Sequence, residues 1–68
     1  MSDKILPAAA MEKILKKAGA LRVSDDAKEE LRVILEEIAS DISNQAIRAA
    51  KHAGRKTIKA SDIKMASR

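Results

Sequence analysis

The feature that most constrains this chain is an unbroken amphipathic stretch from Ser24 to Ala53, close to half of its 68 residues. Ala27, Leu31, Ile34, Leu35, Ile38, Ile42, Ala46, Ala49 and Ala53 recur at spacings of three and four, the periodicity that lays one apolar stripe along a helix. Ser24 can accept a hydrogen bond from a free first-turn amide. Asp25 and Asp26 then set negative charge against the positive end of the helix dipole. Gly54 supplies a stop signal. At 1.5 Å per residue such a helix is roughly 40 Å long, whereas a compact globule of this size has a radius of gyration of only about 11 Å. The helix outgrows any domain the chain can build alone. A partner is expected to cover its ends, most simply a second copy.

Composition points the same way. The chain has no Phe, Trp, Tyr or Cys, so its core must be built from aliphatic residues and Met, with no disulfide or thiolate metal site to reinforce it. One small domain, residues 1–68, is all the length accommodates. A single His among scattered carboxylates makes no metal-ligand cluster, and neither a membrane span nor a signal-peptide pattern is visible. No metal, cofactor, membrane or small-molecule substrate is expected, and a soluble, intracellular protein is.

The formal charge of +4 is segregated. Before Asp25, the cations Lys4, Lys13, Lys16, Lys17 and Arg22 outnumber Asp3 and Glu12. From Asp25 to Asp41, seven carboxylates face only Lys28 and Arg32. Beyond that, Arg48, Lys51, Arg55, Lys56, Lys59, Lys64 and Arg68 stand against Asp62 alone. Basic flanks around an acidic middle suggest a polyanion gripped at both ends; a solvated surface is the plainer alternative.

Around the long helix the pattern predicts an all-α chain. Met1 to Leu6 is a short tail, and Pro7 fits the first turn of a helix over about 7–18, with Met11, Ile14, Leu15 and Ala18 on one side. Gly19 ends that helix and opens a loop over 19–23. After the helix over about 24–53 comes a second loop, 54–59, in which Thr57 and Ile58 suggest a brief extended segment. Residues 60–67 read as a last helix of about two turns.

This order, with "AGALRVSDDA" (Ala18 to Ala27) before the long helix and "AKHAGRKTIKASDI" (Ala50 to Ile63) across its end, resembles the histone fold, and specifically the tail-less archaeal-type histones. The similarity runs from about Leu6 to Ala66. It implies an intertwined handshake homodimer, in which loop one of each copy lies beside loop two of the other. It also implies a double-stranded DNA partner, wrapped and compacted without sequence specificity by dimers or stacked dimers, and a cytoplasmic, nucleoid-associated location.

Residue by residue, the resemblance implies a minor-groove role for Arg22 and phosphate contacts for Lys56, Thr57, Lys13 and Lys16, with Thr57 beside Arg22 across the dimer. Amides near Pro7, Ala8 and Ala9 offer a further anion site. Arg55 and Asp62 match a charge pair clamping loop two to the last helix, although Asp62 could instead cap that helix, and spacing does not separate the two. Ala49, His52, Asp62 and Met65 fall at the positions of the dimer–dimer contact. There Ala49 and Met65 depart from a larger apolar residue and a Leu, which weakens packing. Gly19 ends its helix, and in similar histones a small residue there lets superhelical turns stack. His52 has no second His, Cys or nucleophile pattern near it, so catalysis and metal binding are not expected and the chain reads as no enzyme.

Two rivals come from other classes. A sequence-specific transcription regulator needs a helix face of base-reading Arg, Asn or Gln, and the first half of the long helix is mainly acidic. A histone-fold protein–protein interaction module that touches no DNA does not need basic loops.

Overall fold

The computed structural model describes residues 5–67 and contains three helices, α1 (Ala8–Lys17), α2 (Asp25–His52) and α3 (Ala60–Ala66), with no strand among the described residues. The initial tail as far as Lys4 and the final Arg68 lie outside the described residues. The chain divides after Glu36 into two compact units.

In the first unit, α1 starts one residue later than expected. Pro7 has extended backbone, φ −76° and ψ 142°, and stands at the N-cap instead of in the first turn. Its carbonyl accepts from the Ala10 amide at 3.2 Å. The end of α1 follows from Gly19, whose φ of +120° is open to glycine and strained for other residues. Its amide donates to Lys16 and the Ala20 amide donates to Leu15, both at 3.0 Å. This crossed pair is a Schellman closure. Ser24 then starts α2, its Oγ accepting from the Ala27 amide at 3.1 Å, a cap worth about 1 kcal/mol.

Met11 is the buried apolar residue of this unit, and burying such a side chain stabilises by about 2 kcal/mol. Ile14 and Ala18, expected on the apolar side of α1, are exposed within the chain. Two carboxylates tie the unit together. Glu12 of α1 binds Lys16 at 3.2 Å and Lys28 of α2 at 3.5 Å, and Lys28 also reaches Asp25 at 3.1 Å. Glu36 accepts from the backbone amides of Ile5 at 3.0 Å and Leu6 at 2.9 Å. The segment leading into α1 is thereby fastened to α2.

In the second unit α2 ends at a further Schellman closure. Gly54, at φ +74°, donates to Lys51, and Arg55 donates to Ala50, both at 2.9 Å. Ala46 and Ala50 are the buried apolar residues. The apolar stripe of α2 is only partly covered, Ile34 in the first unit and Ile38 in the second remaining substantially exposed, and off the stripe Ile47, Ile58 in the second loop and Ile63 on α3 are substantially exposed as well. Ala27 and Ala53, which the spacing placed on the stripe, are exposed as well. No helix among the described residues is long and apolar enough to cross a membrane.

Candidate nucleic-acid interface

The two loops that flank α2 hold three of the five DNA-contact candidates read from the sequence, Arg22, Lys56 and Thr57, with Lys13 and Lys16 on α1. Arg22 follows the Schellman turn of α1 and precedes the Ser24 cap, so both neighbours in structure are pinned while its own side chain is exposed. It makes no hydrogen bond or ion pair among the described residues. Lys13 is exposed on α1, also without an ion pair there. Lys16 is exposed but pairs with Glu12, which compensates part of its charge.

The second loop is shaped by Arg55. Its Nη1 donates to the Thr57 carbonyl at 2.9 Å and to Oδ2 of Asp62 at 3.0 Å, and its Nη2 donates to Oδ1 of Asp62 at 3.1 Å. The chain bends at Lys56 and Thr57 as a result, where β-propensity had suggested an extended segment. Backbone in that form is found at Lys59, φ −107° and ψ 164°. Lys56 and Thr57 are left exposed at the bend. Beside it is a cavity of about 220 Å³ lined by Ile47, Ala50, Lys51, Arg55, Lys56 and Ile58.

Asp62 fills both roles that the spacing left open. Besides gripping Arg55, its Oδ2 accepts from the Lys59 amide at 2.8 Å, three residues before it at the start of α3. A lysine side chain at the N-cap has no acceptor to return that bond, so Asp62 carries this helix start alone. It is only 4 % exposed. The Arg55 guanidinium and the Lys59 amide hold its carboxyl below the usual carboxylate range, and Asp62 in turn raises the pKa of Arg55. These bonds occupy both carboxylate oxygens, which leaves Asp62 little surface for a neighbouring dimer. Ala49 is half-buried, while His52 is exposed and Met65 is 67 % exposed. No group of three or more His, Cys, Asp or Glu able to hold a metal occurs among the described residues. An added Cβ at Gly19 meets nothing within 4 Å, so inside the chain this glycine is required by its φ and not by a close neighbour.

Sequence reasoning missed the buried cation of the acidic segment. Arg32 is 5 % exposed, with Nε donating to Glu29 Oε1 at 3.1 Å, Nη2 bonded to Glu29 Oε2 and Nη1 donating to Glu36 Oε2 at 2.8 Å. The signal was present in the spacing, since carboxylates three residues before and four after an Arg share its helix face. The Leu6 amide and Arg32 hold the Glu36 carboxyl below its ordinary range, and the paired carboxylates raise the pKa of Arg32.

Comparison with known proteins identifies the family. Residues 4–66 match the model of a family described as histone-like transcription factor (CBF/NF-Y) and archaeal histone. "Probable archaeal histone 3" of Methanocaldococcus jannaschii is 51 % identical over 63 residues, 93 % of this chain and 94 % of that protein. One of the subunits of archaeal histone HAN1 from Thermococcus zilligii is 48 % identical over 61 residues, 90 % and 91 % of the two chains. "DNA-binding protein HmvA" of M. jannaschii is 42 % identical over 60 residues, 88 % of this chain and 62 % of that one. With three helices in the expected order, two glycine-closed loops and a match over nearly its whole length, the chain belongs to the histone-fold family that includes the archaeal histones.

Proposed function

We propose that this protein is a non-enzymatic histone that binds double-stranded DNA as a handshake homodimer and bends and compacts it through backbone contacts. The observation that carries this reading is the placement of unpaired, exposed cations, Arg22 and Lys56, in the loops at either end of α2, in a chain whose relatives are named as archaeal histones and a DNA-binding protein. A second copy accounts for the exposed isoleucines of the α2 stripe, because a domain this small stabilises itself by covering them. In such a dimer Arg22 enters the minor groove with Thr57 of the partner beside it, while Lys56, Thr57, Lys13 and the partly neutralised Lys16 meet phosphate. Recognition then rests on charge and bendability more than on base identity. The place of action is the nucleoid.

Assembly beyond the dimer uses His52, Ala49 and Met65, with Asp62 retained chiefly by its clamp. The short Ala49 side chain makes that junction weak, and Gly19 allows close stacking where dimers do join.

The test is a DNA-binding titration over a series of salt concentrations. About six phosphate contacts per dimer give a log–log slope near −5. A salt-independent affinity, or strong preference for one short operator, refutes the reading. Nuclease digestion of the complex separates extendable stacking, seen as protection in regular steps, from isolated dimers with one short footprint.

A further inference from the structure

Leu21 is a residue that neither the fold nor the charge map accounts for. It is 91 % exposed, the highest value among the exposed large hydrophobic side chains of the described residues. It sits in the first loop between the Schellman turn at Gly19 and the exposed Arg22, and the same end of α1 presents Lys16 and Lys17 in its last turn. Val23, two residues on, is half-buried, so the loop has an apolar side that it covers, and Leu21 is not on it. A leucine left in water next in the chain to an exposed arginine is covered by nothing within this unit. A polyanion drawn to Arg22 comes up beside it.

We propose that Leu21 is a DNA-contacting residue, placing its methyl groups against the deoxyribose edges of the minor groove beside Arg22. The inference rests on the DNA-binding reading and names a component of it that is not electrostatic. Cations supply an affinity that falls with salt through counterion release. Apolar surface removed from water by a sugar edge supplies affinity that does not. Leu21 therefore raises the salt-insensitive part of binding, and its rigidly based loop delivers Arg22 and an apolar contact together. Apolar side chains, leucine among them, do occur at minor-groove interfaces, where they wedge between base steps; the contact proposed for Leu21 is with the sugar edge instead.

The experiment compares the unaltered chain with Leu21→Gln, Leu21→Met and Arg22→Ala, using fluorescence anisotropy on a short mixed-sequence duplex over a salt series, with sedimentation equilibrium of each protein alone. Leu21→Gln is expected to weaken binding about tenfold at every salt concentration, since two copies per dimer each lose part of a leucine's burial, while the log–log slope stays unchanged. Leu21→Met restores most of the affinity, and Arg22→Ala lowers the slope itself. Unchanged affinity for Leu21→Gln overturns the proposal, as does a Leu21→Gln chain that no longer self-associates, which would place Leu21 between the two copies of the dimer. Failure of the unaltered chain to bind in a salt-dependent manner is a separate result that removes the DNA reading as a whole.

Discussion

Nη1 of Arg32 and the Leu6 amide donate to one and the same oxygen, Oε2 of Glu36, at 2.8 and 2.9 Å. The Ile5 amide joins them at 3.0 Å. One carboxylate oxygen thus fastens the segment before α1 and, together with Glu29, compensates an arginine that is almost wholly buried. Removing the charge should loosen both. Glu36→Gln is expected to lower the thermal midpoint by about 5 °C and to speed hydrogen exchange at Ile5 and Leu6 selectively. Amide exchange followed by NMR checks this, and unchanged protection at those two amides would show that the bond does not hold the segment.

Glu36 and Asp62 both have carboxyls held below their ordinary range by cations and backbone amides. A folded-state pKa below the unfolded one means that the stabilisation is complete above the unfolded value, about 4, and is lost as pH falls through the folded value. Thermal stability should therefore drop steeply below about pH 4. Glu36→Gln and Asp62→Asn should each flatten that dependence, measured by circular dichroism melts across the acid range.

Asp62 serves the Arg55 clamp and the Lys59 amide together, whereas Arg55 serves the clamp and the Thr57 carbonyl. Asp62→Ala should cost more stability than Arg55→Ala, because it leaves a guanidinium and a helix-start amide unanswered at once. The double variant should be less destabilised than the sum of the two, by the coupling between contacting residues. A thermodynamic cycle of melts gives the answer, and strict additivity would argue against the clamp.

Neither glycine is crowded, so their substitutions isolate the backbone cost. Gly54 at φ +74° lies near the left-handed region that Asn tolerates, while Gly19 at φ +120° lies well outside it. Gly54→Asn should cost about 1 kcal/mol or less, and Gly19→Asn about 2 kcal/mol. Denaturant unfolding ranks the two; the reverse order would mean that the surroundings and not φ set the requirement.

Charge pairing separates the candidate DNA contacts. Arg22→Ala should weaken binding to all duplex sequences alike and reduce the magnitude of the salt slope by about two per dimer, one for each lost contact. Lys16→Ala should do less, because Glu12 already partners it. Glu12→Gln should strengthen binding by releasing that charge. Parallel titrations settle the order.

The elements of the fold were readable because their causes are local. Apolar spacing of three and four, Ser24 at a helix start and glycines at Gly19 and Gly54 act within a turn or two of themselves. The amphipathic stripe, however, said only which residues share a face. It put Ile34 and Ile38 on one face, and within the chain they stay exposed, because coverage depends on what packs there. Pro7 was placed one position too far into its helix for a similar reason: its fixed φ suits an N-cap as well as a first turn.

Sequence by itself determined the three-helix order, the two glycine closures and the segregation of cations to the flanks of an acidic middle, since each follows from residue type and short-range spacing. Tertiary structure alone decided which charges are spent and which are free. It buried Arg32 between Glu29 and Glu36, gave Glu36 to amides 30 and 31 positions away, bound Lys28 to Glu12 across two helices, and made Asp62 both clamp and helix start. The Glu36 and Lys28 outcomes depend on distances between segments remote in the chain; those at Arg32 and Asp62 join near neighbours, where spacing makes a partner available and burial decides how much the pairing matters. A cation in the sequence is only a candidate contact, and the fold determines whether its charge is already paired.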